Sequence, residues 1–317
     1  MRYLKQVIFE NIGIEKQKIL ESSTVAVVGI GALGTAVSDM LVRAGVKNLI
    51  LIDRDVVELS NLQRQTLFSE QDLDELKVIA AQRRLNSINN TVNLSIHPVD
   101  LDFDNIGLIK SDIILDCTDN FEARFLINDF AVKNKIPWIY ASVIGSTGMT
   151  FNILPKNPCL RCIFKEPDEV LGTCDTEGII NTIIHSIAAM QVTEAIKILT
   201  KQQPNKELVH YDVWKNRLTK IKIKKNKDCP TCNNNFEYLL GKNSNDFVKT
   251  CGSSSFHIKT KIINLNDLND KLKKLGETKL TSYCLFFKDI IFFRTGRAIV
   301  KAENKEEAKI KLAKYLG

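Results

Sequence analysis

This 317-residue sequence has no long apolar run. The stretch that comes closest, residues 179–190, is interrupted by Asn181, His185 and Ser186, so no segment reads as able to span a bilayer. The N-terminus carries no uninterrupted apolar core of the kind a secretory signal needs, and no membrane partner is expected. Histidines are scarce, four in all. His97, His210 and His257 stand at no ligand or triad spacing, and His185 reads as a core residue of an apolar helix. Aromatics are missing from the densest basic run, Lys215 to Lys227, which leaves base stacking without support. No direct nucleic-acid contact is expected, and the net charge of +7 reads as a Lys-rich solvated surface. Repeats of solenoid length are also absent. The default compartment is the cytoplasm, where eight cysteines suggest metal binding or thiol chemistry more than disulfides.

The patterning that is present alternates strand and helix. Residues 1–20 read as one amphipathic helix, with Leu4, Val7, Ile8 and Ile12 near helical spacing. Strands follow at 24–28, 48–52, 92–97, 112–116, 137–142 and 149–154, with helices at 33–44, 74–89 and 121–134. Asn120 is placed to cap the last of these. Residues 155–180, punctuated by Pro155, Pro158, Pro167 and Gly172, form a long irregular crossover loop of the kind that is usually functional or disordered. A helix at 182–200 and strands at 207–213 and 217–224 complete the first domain. In the alternation Lys220-Ile221-Lys222-Ile223-Lys224 the lysines face water. The fold class is α/β, a doubly wound, mainly parallel, Rossmann-like sheet with a zinc clasp and the crossover loop, plus a small C-terminal α+β module. The expected domains are 1–235, a linker at 236–252, and 253–317. In the last, a strand at 256–263, a helix at 266–275, strands near 281–287, 290–294 and 297–301, and a helix at 304–315 are expected.

Three constellations carry chemistry. The first is Gly29-Ile30-Gly31-Ala32-Leu33-Gly34, directly after the apolar run Val25 to Val28. A strand, a G-x-G-x-x-G turn and a helix start make a dinucleotide-binding fingerprint, in which Gly29 permits the turn, Gly31 lets backbone approach phosphate, and Gly34 lets helix and strand pack. Asp53, about 20 residues on, stands where an acid holds ribose hydroxyls. Alone, this suggests NAD or FAD, and an NAD-dependent oxidoreductase is one alternative. The second constellation, Asn61, Arg64 and Lys77, favours ATP. A redox enzyme has no need of an arginine clamp there, whereas an enzyme that cuts a triphosphate must offset the charge of the leaving pyrophosphate. Arg64 offers a planar fork and Lys77 a point charge. At the end of a predicted strand, Asp116-Cys117-Thr118-Asp119-Asn120 offers Asp119 as a Mg²⁺ ligand. Asp116 reads as a supporting or capping residue and Cys117 as a small buried one.

The third constellation is two Cys-x-x-Cys pairs, Cys159/Cys162 and Cys229/Cys232. Four thiolates match a closed tetrahedral Zn²⁺ site, here a clasp tying the irregular loop to the end of the main domain. Cys174 reads either as a thioester or persulfide partner or as an ordinary loop cysteine. The following helix dipole favours its thiolate, and Asp175 and Glu177 oppose it. Cys251 and Cys284 have no nameable partner.

Together these residues resemble the ThiF/MoeB/HesA family, relatives of ubiquitin-activating enzymes. The resemblance runs from about Arg2 to Cys232 and rests on Arg2-Tyr3-Leu4-Lys5-Gln6, the Gly loop, Glu58-Leu59-Ser60-Asn61-Leu62-Gln63-Arg64-Gln65, Lys77, Asp116 to Phe121, both cysteine pairs and Glu194-Ala195-Ile196-Lys197. It implies ATP- and Mg²⁺-dependent adenylation of the C-terminal glycine of a ubiquitin-fold sulfur carrier ending in Gly-Gly. It further implies that Asp53 holds the ribose, that Asn61, Arg64 and Lys77 hold phosphates, and that Asp119 binds Mg²⁺. Two departures stand out. Lys5 occupies the position of an arginine that reaches the partner subunit's ATP site, so either Lys5 or Arg2 would act in trans in a homodimer. In Ile183-Ile184-His185-Ser186-Ile187, relatives commonly carry glycine before the serine. Cys174 aligns with a crossover-loop cysteine that only some members use covalently. The C-terminal module is shorter than a rhodanese domain, and sulfur is expected from a separate donor, a rhodanese or a cysteine desulfurase. Alternatives are adenylation of a peptide or a modified tRNA nucleoside, and a non-catalytic carrier-binding scaffold.

Overall fold

The computed structural model describes residues 2–164, 177–241, 247–249 and 255–316. The strands nearest the Gly loop form because they are short, β-branched and apolar on both faces. In β1 (Thr24–Val28) the last four of five residues are buried, and all of β4 (Ile113–Asp116) is buried. β2 (Asn48–Ile52) and β3 (Asn93–His97) lie beyond β1. β5 (Trp138–Ile144), β6 (Thr147–Ile153), β7 (Leu208–Asp212) and β8 (Arg217–Ile221) extend the sheet on the other side. The order is β3-β2-β1-β4-β5-β6-β7-β8. Pairing is parallel from β3 to β5 and antiparallel from β5 to β8. The sheet is thus mainly parallel, as expected, with its antiparallel pairings gathered on one side.

Successive side chains point to opposite faces, so each strand feeds two cores. Val25 and Val27 join α3 (Ala32–Ala44), α4 (Lys77–Ile88) and α6 (Asn181–Leu199) on one face; Ala26 and Val28 join α5 (Phe121–Asn134) on the other. Asn120 caps α5, its side-chain oxygen accepting the Ala123 N–H at 2.9 Å. Among the described residues no helix is long and apolar enough to cross a membrane.

Several local expectations change. The N-terminal helix is two, α1 (Leu4–Ile8) and α2 (Gly13–Leu20). They divide at Gly13, whose φ of +61° breaks helical continuity. His185 is exposed, because the buried stripe of α6 runs through Ile183, Ile184, Ile187 and Ala188 and leaves position 185 outside it. β8 is the sheet's last strand, and Leu218 and Ile221 are exposed beside Arg217 and Lys220, so its aliphatic positions do not all face a core. Basic side chains on such an edge discourage unwanted pairing.

The chain divides into two compact units, 1–243 and 244–317. The stretch expected as linker holds a turn, Tyr238–Leu240, and a strand, β9 (Phe247–Lys249). Tyr238 is buried against Phe125, ring centres 5.2 Å apart. The second unit is a six-stranded antiparallel sheet, β11-β12-β13-β14-β10-β9. Its other strands are β10 (Ser255–Lys259), β11 (Thr278–Leu280), β12 (Cys284–Phe287), β13 (Ile290–Phe293) and β14 (Arg297–Lys301). β11 was not foreseen as a separate strand. Helices α7 (Leu265–Leu272) and α8 (Lys305–Leu316) pack on one apolar face of this sheet.

Candidate active site and cysteine clasp

The sheet changes direction of build between β1 and β4, and the carboxyl ends of these strands open a crevice of the kind in which doubly wound folds bind ligands. Gly29 leaves β1 with φ +89°, and a Cβ there would lie 2.6 Å from the Cys117 carbonyl oxygen. A Cβ on Gly34 would lie 1.8 Å from the Gly29 carbonyl oxygen. Both positions therefore require glycine for α3 to start this close to the sheet. Gly31, the N-cap of α3, differs: a Cβ there would meet only the side-chain nitrogen of Gln65, at an ordinary 3.9 Å. The Ala32 and Leu33 N–H groups have no acceptor among the described residues. Those free donors and the helix dipole make a seat for anionic oxygen.

Charged residues ring this seat. Asp53, just after β2, accepts the Ile30 N–H at 2.6 Å and the Asp55 N–H at 2.7 Å, so it braces the Gly loop. Burial lifts its carboxyl above the ordinary carboxylate range, and the Lys77 ammonium opposes that lift. Lys77 opens α4 and is buried, with Nζ 3.2 Å from the Asp55 carboxylate. Burial would lower its pKa, but Asp55, Asp53 and Asp119 more than reverse this and keep it charged. Arg54 pairs with Asp100 at 2.7 Å, and Asp119 also acts on it. Asp119 itself is exposed.

Arg64 projects from the turn Leu59–Asn61 and donates to the Ser60 carbonyl at 2.7 Å. No carboxylate neutralises it among the described residues. Asn61 is buried and closes a capping box with Glu58, whose N–H it accepts at 3.3 Å. In the chain as it stands Asn61 shapes the turn that carries Arg64. Asp116 accepts both the N–H and the hydroxyl of Thr118, at 2.9 and 2.7 Å. Arg124 holds the Thr118 carbonyl at 2.6 Å and pairs with Asp116 at 3.5 Å. These contacts fix the residue preceding Asp119. Burial pushes the Asp116 carboxyl up to about 6 against the pull of Arg124. Gln191 of α6 donates to the Asp116 and Ile139 carbonyls at 2.9 and 3.0 Å and faces the buried Cys117 thiol.

Lys5 and Arg2 lie elsewhere. The Tyr3 ring lies against Gly45, at the far end of α3 from the Gly loop. A helix of 13 residues spans about 20 Å. Arg2 donates to the Ile88 carbonyl at 2.9 Å, at the end of α4 opposite Lys77. Lys5 is exposed and has no partner among the described residues.

The four cysteines meet. The Sγ atoms of Cys159, Cys162, Cys229 and Cys232 lie within 4.8 Å of one another, with contacts of 3.4 to 4.0 Å. A disulfide would need about 2.0 Å. Four sulfurs around one Zn²⁺ at about 2.3 Å stand about 3.8 Å apart, so the donor set fits that ion. The two knuckles are also joined through α5. Asn128 accepts the Leu160 N–H at 2.9 Å and donates to the Thr231 hydroxyl at 3.3 Å. Asp129 takes the Thr231 hydroxyl proton at 2.5 Å and the Tyr238 N–H at 3.1 Å.

The ThiF family model matches residues 3–231. The chain belongs to the ThiF family. A sulfur carrier protein ThiS adenylyltransferase of Bacillus subtilis (strain 168) is 38% identical over 333 aligned positions, which cover 100% of this chain and 99% of the relative. A molybdopterin-synthase adenylyltransferase of Escherichia coli (strain K12) is 35% identical over 240 positions, covering 73% of this chain and 96% of the relative. Among solved structures, that of E. coli MccB with ATP superposes with a TM-score of 0.66 at 21% identity, covering 74% of this chain and 75% of that one; this likeness shows the fold alone.

For a ThiF-family chain the crevice holds two groups that the sequence reading passed over. Asp55 pairs with Lys77, and Arg54 pairs with Asp100. Their signal was the run Asp53-Arg54-Asp55 itself, which places three charges at the end of one strand. Cys174 and Cys251 lie outside the described residues. The crossover stretch returns at 178–180, where Gly145 donates its N–H to the Gly178 carbonyl at 2.9 Å and accepts the Ile180 N–H at 3.0 Å.

Proposed function

We infer that this chain is an adenylyltransferase that activates the C-terminal glycine of a ubiquitin-fold sulfur carrier of the ThiS type, using ATP. The observation that carries the reading is the end-to-end likeness to the B. subtilis ThiS adenylyltransferase, which includes the C-terminal module. The crevice supplies the chemistry such a reaction needs. A carrier carboxylate oxygen attacks the α-phosphorus, the bond to the bridging oxygen breaks, and pyrophosphate leaves with that electron pair. The product is an acyl-adenylate.

Attack by one anion on another is slow unless cations offset the repulsion. In this reading Arg64 and Lys77 do so, with the free amides of α3 holding phosphate oxygens and Asn61 keeping the Arg64 turn in place. Asp53 accepts ribose hydroxyls. Asp119 would hold Mg²⁺, which when bound neutralises polyphosphate charge. Its exposed carboxylate acts on both Lys77 and Arg54, and that supports the assignment. Zn²⁺ on the four cysteines is structural, because all four ligand positions are filled by protein.

Lys5 is assigned to a partner's site in a homodimer. It lies about one helix length from its own Gly loop, and Arg2 is already bonded to Ile88. The exposed Leu4, Ile8, Phe9 and Ile14 of α1, α2 and their connection give such a dimer an apolar face. A separate sulfur donor acts after adenylation, in the cytoplasm. The test is ATP–pyrophosphate exchange with Mg²⁺ and a purified Gly-Gly carrier. Exchange that disappears when the carrier's last glycine is removed is the expected result. ATP binding without exchange for every such carrier overturns the reading.

A further inference from the structure

Gln65 follows Arg64 and is buried, at 3% exposure. Its side chain lies over Gly31, the side-chain nitrogen 3.9 Å from where a Gly31 Cβ would stand. Its side-chain oxygen is enclosed and has no hydrogen-bond partner, and the nitrogen has none among the described residues.

The other buried glutamines behave differently. Gln191 donates to two carbonyls and accepts from the Cys117 thiol. Gln17 bonds to Gln6, Glu21 and the Ala44 carbonyl. A buried carbonyl oxygen without a partner costs free energy, and an apolar side chain of the same size would not carry that cost. The fold therefore gains nothing from the polarity of Gln65.

The unused amide points at the one glycine of the loop whose small size nothing within the chain demands. The next two N–H groups along the chain from Gly31, those of Ala32 and Leu33, have no acceptor among the described residues. We propose that Gln65 is a nucleotide-binding residue, its carboxamide completing its hydrogen bonds on the nucleoside triphosphate seated at Gly31. This rests on the ATP reading above. Gln65 then adds a neutral donor and acceptor to a site otherwise built of charges and backbone.

The test is Gln65→Met, which keeps length and volume and removes both polar atoms. Mg-ATP binding to the full chain without carrier, measured calorimetrically, is expected to weaken at least tenfold. The KM for ATP in pyrophosphate exchange should rise in parallel while kcat stays within about threefold. The unliganded variant should melt no lower than the wild type, because it has lost an unpaired buried group. Wild-type ATP affinity in Gln65→Met overturns the proposal, as does a lower unliganded melting temperature. Should Gln65→Met fail to fold, Gln65→Glu replaces the donor with a charge that repels phosphate, and unchanged ATP affinity there overturns it equally. A wild-type chain that binds no Mg-ATP sinks the underlying ATP reading instead.

Discussion

The crevice and the cysteine clasp belong to the same unit, and they treat their polar groups in opposite ways. In the crevice, among the described residues, Arg64 answers no carboxylate, two N–H groups of α3 have no acceptor, and Gln65 is unpartnered. In the clasp, Asn128, Asp129 and Thr231 bond each other and both knuckles. Unpaired polar groups are costly to keep, so a region that keeps them is arranged for a ligand. A region that pairs them is arranged for stability. Function and stability should therefore separate on mutation.

The largest separation is expected at Arg64. Arg64→Ala should lower ATP–pyrophosphate exchange on the order of 10²–10³-fold. It gives up only one bond to a loop carbonyl, so unfolding free energy should change by less than about 0.5 kcal/mol. Rate assays beside a urea titration check both halves. A variant that loses stability in proportion to activity would break the comparison.

The opposite result is expected in the clasp. Cys229→Ser should bind less than one equivalent of Zn²⁺ and lose on the order of 4 kcal/mol of stability, which is roughly 10 °C in a domain of this size. Exchange activity measured well below the lowered melting temperature should stay within a few-fold of wild type. Metal analysis, a melting curve and the exchange assay settle it together. Activity lost in a variant that is still folded would place the clasp within the catalytic machinery.

The sequence showed these regions unequally. The close turn at Gly29 and Gly34 and the meeting of the two Cys-x-x-Cys pairs were legible because spacing alone constrains them. Two cysteines three residues apart aim at one point in any loop, and a G-x-G-x-x-G after a strand has few uses. Partnerships across long separations were not legible. Asn128 and Asp129 meet Thr231 from 103 and 102 residues away, and nothing in their local sequence marks them as ties. The strand at which parallel pairing gives way was equally hidden: β5 to β8 carry the same apolar composition whether they pair parallel or antiparallel. His185 was misplaced because composition counted it among apolar neighbours, when the helical phase of those neighbours puts it on the wet side. Gln65 was quoted within a motif yet given no role, since only its burial without a partner distinguishes it from Gln63 or Gln71.

Asp116 lies between the two behaviours and gives the smallest effect. It is fully buried and its carboxyl titrates at about 6, raised from 3.8 by burial although Arg124 stands beside it. An unfolded chain surrenders this proton near pH 4, while the native chain keeps it until about pH 6. Between those values the native state binds more protons than the unfolded state, so this group makes stability fall as pH rises and adds no further change above pH 6 or so. The fall amounts to at most about 3 kcal/mol. Asp116→Asn cannot titrate and should lack that component. Above about pH 6 the variant also leaves Arg124 without its counter-charge, and at every pH it exchanges a carboxyl for an amide, so the informative quantity is the difference between wild type and variant as a function of pH. That difference should shrink or grow only between about pH 4 and pH 6, in the direction of a wild type losing ground as pH rises. Urea titrations of both proteins at pH 4, 5, 6 and 7 measure it. A difference that is flat across that range would mean Asp116 is ionised throughout, and that Arg124 and Thr118 satisfy it as completely as the clasp satisfies Asp129.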